Sequence, residues 1–109
     1  QGSNYHNHSN SMISGVLYLN CGKGSAISFE NFKKDRMFNL TPEKYDIYNS
    51  DEYRFETSDG MLVFFPSETY HRIVNNKSNK IRYSLAFNLI PVGPIGEETN
   101  DSFVNIDTK

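Results

Sequence analysis

Across residues 81–90 large apolar side chains recur at every second position, Ile81, Tyr83, Leu85, Phe87 and Leu89 on one side against Arg82, Ser84, Ala86 and Asn88 on the other. A period of two belongs to an extended strand, whose successive side chains point to opposite faces. No stretch of ten or more residues carries a helical stripe, so the chain reads as all-β. Further strands are expected at residues 12–20, 26–32, 53–57, 61–65 and 70–74. The first two flank the glycine-rich turn Cys21-Gly22-Lys23-Gly24 and read as a hairpin. The run Met61 to Phe65 is apolar throughout, which predicts burial on both faces. Residues 33–51 lack periodicity and form a connection far longer than the usual loop of roughly 4–6 residues, which is either placed to close over substrate or simply a mobile loop. The polar run 75–80 is a loop, and residues 91–109, with Pro91, Gly93, Pro94 and Gly96, read as an extended tail along the surface.

With 109 residues the chain suits a single domain spanning 1–109. Hydrophobic residues make up 37%, with 8 Phe and 7 Tyr, too apolar a mix for a disordered chain. Eleven basic against 13 acidic residues give a net charge of −2, which leaves no basic face for duplex nucleic acid. No window approaches the roughly 20 apolar residues of a membrane span, and no signal segment opens the chain. The single cysteine, Cys21, cannot close an internal disulfide. Together these point to a soluble, cytoplasmic protein. Gly22-Lys23-Gly24 is too short for a phosphate loop. Asp46, Asp51 and Glu52 read as a solvated charge run, and Cys21 as incidental. Gln1-Gly2-Ser3 fits either a tag remnant or native strand.

Several short strands with glycine-rich and polar turns favour a jelly-roll barrel enclosing a site. The three histidines fall where such a barrel could use them. His6 and His8 sit at i and i+2, so in an extended segment both imidazoles serve one ion. His71 heads a strand and can supply a third nitrogen. Three ligands on one side leave the opposite side of a six-coordinate metal open. The competing reading makes His6 and His8 a polar surface strand and His71 a core residue. Eleven and thirteen positions after His71 come Arg82 and Ser84, both on the polar face of the last strand. An inward Arg wants an anion: its guanidinium takes a carboxylate through two parallel hydrogen bonds, and a neighbouring hydroxyl adds a third. A structural bridge to an acid is the alternative.

Taken jointly, His6-Asn7-His8, Ser14-Gly15-Val16-Leu17-Tyr18-Leu19, Phe64-Phe65-Pro66-Ser67 leading to His71, and Arg82-Tyr83-Ser84-Leu85-Ala86-Phe87-Asn88 resemble the 2-oxoglutarate and Fe(II)-dependent oxygenases. The likeness spans residues 6 to about 96 and is closest to the 2OG-Fe(II) oxygenase branch with a prolyl-hydroxylase-like jelly roll. It implies a double-stranded β-helix in which His6, His8 and His71 hold Fe(II), and Arg82 with Ser84 binds the far carboxylate of 2-oxoglutarate. Tyr18 matches a tyrosine that in related prolyl hydroxylases touches the same carboxylate, or else packs in the core. The implied reaction hydroxylates a peptide side chain or small metabolite while 2-oxoglutarate is oxidatively decarboxylated to succinate.

The chain departs from the pattern in two places. Most of the superfamily reads His-x-Asp or His-x-Glu, and this chain has His8 at the carboxylate position. A neutral imidazole there removes one negative charge, which weakens the hold on Fe(II) and also suits zinc. Only five residues precede His6, so the usual N-terminal helical part is expected to be missing and one sheet edge unpaired, unless a longer chain or a homodimer partner completes it. Two other functions use the same histidines: a non-catalytic, cupin-like module for a metal or small molecule, and a zinc-dependent hydrolase.

Overall fold

The computed structural model describes residues 2–31, 41–74 and 79–108. Eight strands follow one another: β1 (Ile13–Asn20), β2 (Ala26–Glu30), β3 (Glu52–Glu56), β4 (Leu62–Pro66), β5 (His71–Val74), β6 (Tyr83–Leu89), β7 (Gly93–Ile95) and β8 (Val104–Ile106). Among the described residues there is no helix, so the all-β expectation holds. They form two three-stranded antiparallel sheets, ordered β4-β1-β6 and β3-β2-β5, and a separate β7-β8 hairpin. Among the described residues no ladder joins one three-stranded sheet to the other, so they form no closed barrel.

Consecutive strands mostly change sheets, and this corrects the expected β1-β2 hairpin. β1 pairs with β4 and β6, while β2 pairs with β3 and β5. Gly22 and Gly24, with φ of 68° and 76°, let the turn carry the chain across the gap rather than back along β1. In the tail, expected as an extended segment along the surface, residues 93–95 and 104–106 are extended strands that pair with each other as a hairpin. Of the long connection, residues 32–40, including Phe38, lie outside the described residues. In the remainder Tyr45 and Tyr48 are exposed. Residues 75–78 of the polar loop also lie outside the described residues.

The register sorts each sheet into two faces. Pairs Ser14↔Phe65, Val16↔Val63, Val16↔Ala86 and Tyr18↔Ser84 put those residues on one side of β4-β1-β6. Ile27↔Phe55, Ile27↔Ile73 and Phe29↔His71 do the same for β3-β2-β5. These faces meet: the Phe65 ring lies 5.1 Å from Phe29 and 4.5 Å from His71, centroid to centroid. The core is thin, its buried hydrophobic residues being Tyr18, Cys21, Ala26, Ile27 and Phe65.

β4 was expected to be buried on both faces, but Leu62 and Phe64 are 48% and 55% exposed. Only its alternate residues face the other sheet. Leu62, Phe64, Leu85 and Leu89 therefore share an outer apolar face, and the polar side of β6 is the inward one. Gly15 lies in the middle of that outer face. A Cβ there would collide with the Phe87 ring, whose Cε2 would stand 2.7 Å away, so glycine alone lets the ring cross the strand.

Candidate metal centre and anion cavity

The N-terminal segment runs antiparallel beside β5. The Ser3 amide donates to the Ile73 carbonyl at 3.1 Å, and His6 and His71 exchange both backbone hydrogen bonds, at 3.0 and 2.9 Å. This pairing points the His6 and His71 side chains the same way. Two residues on, the His8 amide donates to the Ser67 carbonyl at 2.9 Å, which swings the chain from one sheet toward the other. His8 stays beside His6, and the ligand atoms of His6, His8 and His71 all lie within 4.8 Å of one another, a cluster that could hold a metal ion. Their ring centroids are separated by 5.3, 4.4 and 5.1 Å.

The donor chemistry suits a metal. His6 Nδ1 lies 2.9 Å from the Asn4 carbonyl and His71 Nδ1 lies 3.0 Å from the Thr69 carbonyl. A carbonyl accepts only, so each Nδ1 carries the proton and each Nε2 keeps its lone pair for a cation. Burial lowers the His71 pKa below its ordinary value, His6 and His8 lower it further, and the Thr69 carbonyl opposes them. His71 is thereby held as the neutral ligand form. No carboxylate joins the cluster among the described residues.

Tyr18, Arg82 and Ser84 gather around one cavity of about 490 Å³. Arg82 stands just ahead of β6, where its Nη1 donates to the Ser25 hydroxyl at 3.2 Å. Tyr18 pairs with Ser84 across the β1-β6 ladder. Burial pushes the Tyr18 hydroxyl up to about 12, assisted by Cys21 and opposed by Arg82, so at neutral pH it is a proton donor. Lys80 and Arg82 line the cavity, and among the described residues no carboxylate does. Such a lining favours an anion. The cavity also reaches Ile73, two residues beyond His71 on the same face, which places its wall about 6.6 Å along β5 from the histidine.

Two polar networks around the site were not anticipated from sequence. Ser11 Oγ donates to Ser67 Oγ at 2.6 Å, Ser67 and Ser14 hydroxyls lie 2.9 Å apart, and Ser14 donates to Asn88 Oδ1 at 2.7 Å. Ser14 and Ser67 are fully buried polar residues next to apolar strand positions, and that incongruity was the available signal. The second network centres on Glu52, which is exposed as a solvated charge run predicts but lies in a strand and has partners. Glu52 opens β3, accepts from the Ser28 hydroxyl at 2.6 Å and pairs with Arg72 at 3.1 Å. Arg72 in turn lies 4.9 Å above the Tyr5 ring, next to His6. The Ser28 and Tyr5 hydroxyls and Arg72 hold the Glu52 carboxyl at about 2. Cys21 is buried, and its amide donates to Asp59.

Among the described residues no helix is long and apolar enough to cross a membrane. No curated protein matches the chain significantly. The family described as "Putative 2OG-Fe(II) oxygenase" matches over residues 1–88, which include all three histidines, Tyr18, Arg82 and Ser84. The chain belongs to that 2OG-Fe(II) oxygenase family.

Proposed function

We propose that the chain is an Fe(II)- and 2-oxoglutarate-dependent dioxygenase that hydroxylates a peptide side chain or a small metabolite. The observation that carries this is the pairing of a three-imidazole cluster with a cavity lined by Arg82, Lys80, Tyr18 and Ser84 that reaches Ile73, two residues beyond His71 on β5. His6 and His71 would hold the iron through their Nε2 atoms, and His8 would supply the third imidazole. Bound there, iron with 2-oxoglutarate supplies the oxidising power, and decarboxylation of the keto acid yields succinate and carbon dioxide.

The chain's own residues bind and orient. Arg82 takes the far carboxylate of the diacid, while Ser84 and the protonated Tyr18 donate to the same group. Phe65 and Phe29 pack on His71 and keep water from that side of the cluster. The alternation of consecutive strands between two sheets is also the wrapping a jelly roll uses, which agrees with this reading.

An anaerobic titration of metal-free protein tests it. Fe(II) and then 2-oxoglutarate should produce the weak visible charge-transfer band of a chelated keto acid. Arg82→Ala should keep iron binding but weaken the cosubstrate by about tenfold or more, the loss of a charge-assisted contact worth roughly 1.5–3 kcal/mol. Iron binding without the band, or unchanged cosubstrate affinity in Arg82→Ala, refutes the assignment. A zinc-dependent hydrolase is the second reading, favoured by the all-imidazole ligand set. It requires hydrolysis with zinc and indifference to 2-oxoglutarate.

A further inference from the structure

The hydroxyl relay beside the histidines runs in a single direction, and the direction fixes the far end. Ser14 has one proton and gives it to Asn88 Oδ1 at 2.7 Å. The 2.9 Å contact between Ser67 and Ser14 must then be donated by Ser67, and Ser67 accepts from Ser11 at 2.6 Å. Ser14 and Ser67 are 1% and 0% exposed, so neither proton has water as an alternative partner. The relay therefore holds the Asn88 carboxamide with Oδ1 turned toward Ser14 and the two Nδ2 protons turned away. Asn88 itself is exposed, at the open side of the inward face of β6.

Position along β6 separates Asn88 from the anion cavity. Ser84, Ala86 and Asn88 follow one another on the same face, so Asn88 stands about 13 Å beyond Ser84. A five-carbon diacid anchored at Arg82 and Ser84 does not extend that far. Asn88 is instead level with Ser14, whose partner Ser67 accepts the His8 amide through its carbonyl. A chain of hydrogen bonds through Ser14 and Ser67 thus links Asn88 to the backbone that carries His8, while Asn88 does not line the cavity of Arg82 and Ser84.

We infer that Asn88 is a substrate-orienting residue that pairs with the backbone N–H and C=O of one residue of the substrate, which narrows the substrate to peptide-like molecules. This rests on the oxygenase reading above. A carboxamide matches the N–H and C=O of one extended residue at two points: Nδ2 donates to that residue's carbonyl, and the second lone pair of Oδ1 accepts its N–H. A hydrocarbon or a simple anion uses neither. The serine relay removes the amide's freedom to flip, so the donor side is presented without being ordered at the moment of binding.

The test uses protein loaded with Zn(II) and 2-oxoglutarate, in which no turnover occurs, and a panel of N-acetyl amino-acid methylamides as probes. In ¹⁵N-labelled protein the Asn88 side-chain NH₂ signal, identified by its loss in Asn88→Asp, should shift on titration with at least one probe. Asn88→Asp keeps the acceptor for Ser14 and removes the donor. It should raise that probe's Kd about tenfold and leave 2-oxoglutarate affinity within twofold. Asn88→Ala should do the same to the probe, and Asn88→Gln should recover part of the loss. Wild-type protein that binds metal and 2-oxoglutarate but none of the amides overturns the inference. So does a probe whose Kd is indifferent to Asn88→Asp, or a parallel loss of 2-oxoglutarate affinity, which would put Asn88 on the cosubstrate. Wild-type protein that binds no 2-oxoglutarate removes the oxygenase reading, and this inference falls with it.

Discussion

Removing one imidazole should nearly abolish the thermal stabilisation that a divalent metal confers, and His8→Ala is the cleanest such cut. His71 is 4% exposed and packs on Phe65 at 4.5 Å, so its truncation would also open the core. His8 is half-buried and lies outside the strands, which confines its loss mainly to the ligand set. The ligand atoms, within 4.8 Å of one another, must close by roughly 1–2 Å to bind at metal–nitrogen distances near 2.1 Å. His6 and His71 are held by the Asn4 and Thr69 carbonyls, so His8 makes most of that movement.

With metal at about 100 times its Kd, binding stabilises the folded state by about 2.7 kcal/mol, which for a domain of this size raises Tm by roughly 10 °C. A 100-fold weaker site at the same metal concentration leaves only about 0.4 kcal/mol, a shift near 2 °C. Differential scanning fluorimetry of metal-free protein with and without Zn(II) or anaerobic Fe(II) reads both numbers. His8→Asp, which supplies the oxygen ligand commoner in the oxygenases this chain resembles, should keep most of the shift. A full 10 °C shift in His8→Ala would refute the three-histidine site, as would no shift in the wild type at saturating metal.

Other expectations follow from the same geometry. Glu52, held near 2 chiefly by the Ser28 hydroxyl, has its pKa depressed from 4.5. Its contribution to stability should be fully present above pH 4.5 and fade as the pH falls toward 2. The difference in urea midpoint between wild type and Glu52→Gln should shrink across that window, and a pH-independent difference would contradict the network. Tyr18, pushed up to about 12, should be the last to ionise as the 7 tyrosines are titrated by tyrosinate absorbance; release near pH 10 would show that it is not sealed in the cavity wall. Gly15→Val should cost about 1–3 kcal/mol in chemical denaturation by displacing the Phe87 ring. Adding Phe87→Ala should make the pair less damaging than the sum of the single changes, and strict additivity would disprove the collision.

Strand identity was legible where alternation was strong, as in β6, because period two survives any packing arrangement. Strand pairing was not. The stretch between β1 and β2 has the glycines of a hairpin turn, but their positive φ serves equally well to cross between sheets, and only distant partners decide which. The burial of β4 was misjudged for a related reason: an apolar run reports what the outer face is made of, not whether anything covers it. The histidines and Arg82 were legible because their chemistry is unusual in an otherwise apolar strand pattern. Ser14, Ser67 and Asn88 were not, since a hydroxyl or amide is informative only once its burial and partners are known.

The sheet β4-β1-β6 has its hydropathy reversed at β6, with Leu85 and Leu89 outside and Ser84, Ala86 and Asn88 inside. In most folds the residues that shape a pocket also hold the core, so changing a ligand preference costs stability. Here the inward side chains of β6 bury little apolar surface, and the core is anchored elsewhere, on Tyr18, Ile27 and Phe65. Position 86, between the Arg82 end and Asn88, can therefore be varied widely without unfolding the chain. For directed evolution this makes β6 the natural strand to randomise: selection can act on what is bound with little concern for whether the protein still folds.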